Sequence, residues 1–214
     1  FSPVGLPESF SVVATNIAAE LGALGCEVIP FTDPGSSPSD AEILWDPRAG
    51  GGAAPLPELL AVEKPLVVTL HGVAPMAIPA WEYFGSFREA LRGLSANARK
   101  RRLWAGCASA CAAVVTVSES SRTDILRKLP IPPERVSWCH NAVDHSVFHA
   151  RSATDAYSRG DYFFHISNNE PRKNVRRICE AHAALPRGRR PRLVLKLPKP
   201  LDFPVAEDVE VITR

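Results

Sequence analysis

Arg172 and Lys173 are the residues whose types and placement speak most directly of chemistry. Tyr162–Ile166 is a short apolar, β-rich run, Ser167-Asn168-Asn169 breaks it, and Pro171 opens a segment with Val175, Ile178, His182 and Leu185 at helical spacing. The pattern predicts strand, turn and helix. The turn then lies at the carboxyl end of a parallel strand, where open α/β sheets take ligands, and delivers two cations to a helix amino terminus suited to an anion. The plainer reading makes Arg172, Lys173, Arg176 and Arg177 a solvated basic helix face.

His71 is the second candidate. Pro65–Leu70 is a continuous apolar run of the kind buried in parallel sheets, and it ends in His71-Gly72, so the imidazole projects from a strand's carboxyl end. A lone histidine is more often structural than catalytic; its position makes it a candidate. Ser118 closes the strand Ala113–Val117 in the position of a helix N-cap, and Asn141 lies in the turn after a strand over Val136–Cys139. Gly50-Gly51-Gly52 has no Lys-Ser/Thr after it and no helix opening from it, so it reads as a flexible surface loop without chemistry.

These residues need a scaffold, and 214 residues suffice for one full core and more. With 45% hydrophobic residues, 22% charged residues and a formal net charge of +2, the composition is that of a globular protein and argues against a basic nucleic-acid binder. Five cysteines without a CxxC pair argue against a disulfide framework or zinc site and fit a reducing cytoplasm. Along the chain the patterns predict a helix from Phe10 to Leu24 stopped by Gly25, and strands at Glu27–Phe31 and Glu42–Trp45. Trp81–Ala112 reads as mostly helical, with Phe84, Phe87, Leu91 and Leu94 facing a core. The run Arg99–Arg102 is a solvated face or, alternatively, a peripheral contact with anionic lipid. Ser152–Asp161 reads as an interdomain linker with a boundary near residue 155. The fold class is α/β, doubly wound.

Four stretches in this order, VVTLHG (67–72), VVTVSESSRTDILRKL (114–129), NAVD (141–144) and NEPRKNVRRICEAHAAL (169–185), resemble the family 4 retaining glycosyltransferases. Gly72 stands where that family often has an aspartate, and Ala142 where it often has a glycine. The resemblance implies the GT-B fold, two facing Rossmann-like domains. It implies an acceptor-side domain over 1–154 whose first strand is missing, and the start of a nucleotide-sugar-binding domain over 155–214. The family's acidic motif would lie beyond Arg214. It also implies transfer of a sugar from a nucleotide diphosphate sugar to a glycan, lipid-linked or small-molecule acceptor, with retention of configuration. No cofactor, metal or nucleic acid is expected. Carried over by position, Arg172 and Lys173 neutralise the donor pyrophosphate, His71 orients sugar or acceptor, and Gly5, Ser118 and Asn141 line the cleft. The rivals are a non-catalytic binding or assembly module and a nucleotide-sugar epimerase of similar fold. The link from Leu197 to Val209 is short for a crossover helix, so that segment is expected to be remodelled or incomplete.

Overall fold

The computed structural model describes residues 8–33, 36, 40–149 and 161–213. They form a mixed α/β fold on two parallel sheets, grouped in two compact units: the described residues of 1–80 with 88–142, and those of 81–87 with 143–214. The boundary expected near residue 155 lies outside the described residues, as does Gly5.

In the first unit, strands β1 (Leu44–Ala49), β2 (Leu66–Leu70), β3 (Cys111–Thr116) and β4 (Val136–Trp138) pair in that order, all parallel. Helix α1 (Glu8–Ala23) precedes them, and α2 (Pro57–Leu60), α3 (Ala74–Ala77), α4 (Ala80–Tyr83), α5 (Phe87–Cys107) and α6 (Glu119–Lys128) fill the connections, with Trp81–Tyr83 of α4 and the opening Phe87 of α5 grouping with the second unit. Leu44, Leu66, Val68, Leu70, Val114 and Val136 bury the sheet's apolar side chains together with Trp104 of α5 and Ile125 of α6. β1 runs through Pro47, which an edge strand tolerates because its missing N–H interrupts no second ladder.

Four expectations fail here for identifiable reasons. Glu27–Phe31 is not a strand; it pairs with none of the described strands, and Val28 and Ile29 stay exposed. The strand expected at Glu42–Trp45 begins two residues later and continues through Asp46-Pro47-Arg48. Asp46 is fully buried, and its carboxylate accepts from the backbone N–H of Arg48 at 3.2 Å and from that residue's Nε at 3.1 Å. Burial nevertheless pushes the Asp46 carboxyl above its ordinary pKa, with the Arg48 charge opposing.

The third failure concerns α5. Phe84 is half-buried, but Phe87, Leu91 and Leu94 are exposed. The inward line is instead Ala90, Gly93, Asn97, Lys100, Trp104 and Cys107, which has the same helical spacing. Its polar residues satisfy backbone carbonyls. Asn97 Nδ2 donates to Pro75 O at 2.7 Å, Lys100 Nζ to Gly51 O at 2.7 Å, and Trp104 Nε1 to Gly52 O at 3.1 Å. Burial lowers the Lys100 pKa. The Gly50–Gly52 turn is therefore pinned, and the reading of it as a flexible loop is corrected. Gly51 and Gly52 have φ of 57° and 82°, a region that β-carbons disfavour, and Gly52 N also donates to Gly72 O at 3.0 Å.

The second unit holds β5 (Tyr162–Ile166), β6 (Arg192–Leu197) and β7 (Val209–Thr213), parallel and in that order, with α7 (Val175–Ala183) between β5 and β6. Val175 and Cys179 of α7 bury against Leu193, Leu195 and Leu197. His182 is buried too, its Nε2–H donating to Pro191 O at 2.7 Å. No helix is described between β6 and β7. Leu201 and Phe203 of the connecting loop pack on the same core, and the Arg176 guanidinium stands 4.4 Å from the centre of the Phe203 ring. An extended loop stands where a crossover helix ordinarily connects parallel strands.

Candidate functional site

The carboxyl ends of the first sheet's strands gather one group of residues. His71 directly follows β2, and its backbone N–H donates to Ala49 O at 2.9 Å, extending the ladder by one residue. Its ring lies flat on Phe10 of α1, centroids 4.1 Å apart and planes 6° from parallel. Phe10 reaches that position because Gly50 has no side chain; a β-carbon there would sit 2.7 Å from Phe10 Cζ. His71 Nε2 is 2.9 Å from Pro47 O. A carbonyl only accepts, so Nε2 carries the proton and the lone pair of the neutral ring is on Nδ1. The ring is thus fixed in plane and tautomer, with Nδ1 as its remaining acceptor.

Beside His71, Gly72 adjoins α6: a β-carbon at Gly72 would lie 3.7 Å from Ser121 Oγ. Ser118 caps α6, its Oγ accepting from Ser121 N at 3.1 Å and donating to Ser121 Oγ at 3.0 Å. The expected N-cap is present, and Ser121, which the sequence reading missed, joins it. The spacing Ser118-x-x-Ser121 was the available signal. Asn141 is exposed in the loop after β4, and no hydrogen bond among the described residues ties it to this group.

In the second unit the turn after β5 is braced by its own side chains. Asn168 Nδ2 donates to Glu170 Oε1 at 2.8 Å, and Asn169 Nδ2 reaches Lys199 O at 3.2 Å and Pro200 O at 3.3 Å, tying the turn to the loop between β6 and β7. Arg172 and Lys173 lie in a single 3-10 turn, Pro171–Lys173, which ends at Asn174 in the left-handed conformation (φ 55°) before α7 begins. They therefore precede the helix by a turn. Arg172 Nε pairs with Glu170 Oε2 at 2.5 Å, a partner the sequence reading did not assign. Lys173 has no ion pair among the described residues. Nor do three or more His, Cys, Asp or Glu side chains among those residues converge as metal ligands would.

Residues 44–147 match the model of Glycosyltransferase Family 4. The match supports a glycosyltransferase-family module over that span, and with it sugar-related substrates in general. It covers His71, Ser118, Ser121 and Asn141, and ends before Arg172 and Lys173. No curated protein matches the chain. The Family 4 span holds all four strands of the first sheet and the strand-end residues His71, Ser118 and Ser121, while Phe10 lies outside it.

Proposed function

We propose that the protein transfers a sugar from a nucleoside diphosphate donor to an acceptor, with retention of anomeric configuration and without a metal ion. The observation that carries this reading is the Family 4 match over the strand ends that bear His71, Ser118 and Asn141. In this reading His71 Nδ1 accepts a hydrogen bond from a hydroxyl of the donor sugar or of the acceptor, held to one orientation by Phe10 and Pro47. Ser118 and Asn141 line the same side. Arg172 and Lys173 take the place of a metal: the leaving diphosphate gains negative charge as the glycosidic bond breaks, and fixed cations stabilise that charge most in the transition state. The acceptor is a glycan, a lipid-linked sugar or a small molecule, and the five free thiols suit work in the reducing cytoplasm.

The pairing of Arg172 with Glu170 favours a second reading, a non-catalytic module that binds a related ligand, because it leaves Lys173 as the turn's uncompensated cation. A panel of nucleotide sugars assayed for nucleoside diphosphate release separates the two. Release from one donor, increased by an acceptor, supports transfer; donor binding by calorimetry without release from any member supports the binding module.

A further inference from the structure

The outward side of α5 is unusual. Leu91 and Leu94 are 52% and 55% exposed, and with Ala98 and the opening Phe87 they form one line along the helix at spacings of four, three and four. At about 100° per residue, Arg101 and Arg102 fall roughly 50° to either side of that line, Arg88 lies about 90° round on the second flank, and Arg99 and Arg92 lie beyond it at about 110° and 130°. Lys100, between Arg99 and Arg101 in sequence, turns inward to Gly51 and takes no part. The helix's single acidic residue, Glu89, falls on roughly the opposite side from the line.

We propose that this face of α5 docks on an anionic bilayer, with Leu91 and Leu94 entering the headgroup–acyl boundary and the flanking arginines meeting lipid phosphates. An apolar line edged by cations is the composition of an interfacial helix lying in the membrane plane. Among the described residues no helix is long and apolar enough to cross a membrane. A nucleic acid would use the arginines but has no use for the leucines. The inference concerns a surface distant in sequence from Arg172 and Lys173 and does not depend on the reaction proposed above.

The test is co-sedimentation of the protein with vesicles of phosphatidylcholine alone or of equal parts phosphatidylcholine and phosphatidylglycerol, at low and high salt. The protein should partition to the anionic vesicles and be released by salt. Each arginine near such a surface contributes about 1 kcal/mol, about fivefold, so Arg101→Gln/Arg102→Gln should weaken binding about 25-fold. Leu91→Ser/Leu94→Ser should weaken it by roughly tenfold per leucine, because half-exposed leucines lose their remaining water contact only on insertion. Both variants replace exposed side chains, and unchanged circular dichroism confirms folding. Equal sedimentation with both vesicles overturns the proposal, as does undiminished binding of the leucine variant. A dimer by light scattering that becomes monomeric in the leucine variant would assign the face to a second copy instead.

Discussion

Replacing His71 separates packing from chemistry. His71→Ala removes the Nε2–H bond to Pro47 O, worth about 0.5–1.5 kcal/mol, and the parallel contact with Phe10, worth about the same again. Together these predict a loss of about 1–3 kcal/mol, which at about 2–4 °C per kcal/mol lowers the unfolding midpoint by about 2–12 °C. Phe10→Leu is the control: it removes the ring contact and leaves the imidazole and its carbonyl partner. A side chain that positions or deprotonates a reacting hydroxyl contributes about 10²–10⁴-fold to rate. His71→Ala should therefore lower sugar transfer at least about a hundredfold while calorimetric affinity for the nucleoside diphosphate stays within about threefold, and Phe10→Leu should lower transfer by less than about tenfold. The assay is nucleoside diphosphate release under conditions where circular dichroism shows both variants folded. If His71→Ala lowers the midpoint but keeps its turnover, His71 is a packing residue and the reasoning from its fixed tautomer is refuted.

Three further outcomes follow from the scaffold. Trp104→Ala should cost about 3–5 kcal/mol, since the indole is fully buried and its Nε1–H holds the Gly52 carbonyl, whereas Trp104→Phe should cost about 1 kcal/mol more than an apolar swap alone; chemical denaturation measures both. Asp46 has a folded pKa raised above its unfolded value, so the stability it contributes is present below about pH 4 and is lost as pH rises through the folded value. The stability gap between wild type and Asp46→Asn should therefore shift against wild type between pH 4 and pH 7, and a gap independent of pH contradicts this. Phe203→Ala removes about 2 kcal/mol of apolar cover and the Arg176 contact from the second unit's core, so backbone amides of β7 should exchange faster by hydrogen–deuterium exchange; unchanged exchange would show that the loop does not hold the sheet.

What the sequence could tell depended on whether periodicity had one solution. The strands read at Pro65–Leu70 and Ala113–Val117, which the structure has at Leu66–Leu70 and Cys111–Thr116, were legible because continuous β-rich runs bounded by turn residues admit little else. Ser118 was legible as a cap because its partner is local in sequence. α5 was misread because two stripes share the helical period, and the apolar one was assigned inward; the polar stripe won because three backbone carbonyls in Gly51, Gly52 and Pro75 require donors. The partners of His71 lie in α1 and β1, so neither the Phe10 stack nor the Pro47 bond could be read from the residues beside the histidine. Glu170 stands two residues before Arg172 in the motif, but spacing alone did not show that its carboxylate turns onto the guanidinium.

The central claim is that a nucleoside diphosphate leaves a sugar under the charge of Arg172 and Lys173, and the most direct measurement is diphosphate release from the active donor by wild type, Arg172→Ala, Lys173→Ala and the double variant. Both residues sit in a surface turn, and the exposed pair with Glu170 contributes at most about 1 kcal/mol to folding, so all four proteins should stay folded. Removing a preorganised charge contact from a transition state costs about 2.7–4 kcal/mol, so each single variant should lose about 10²–10³ in turnover, with Lys173→Ala the more severe because Arg172 is already shared with Glu170. Turnover within about threefold of wild type in the folded double variant would contradict the account.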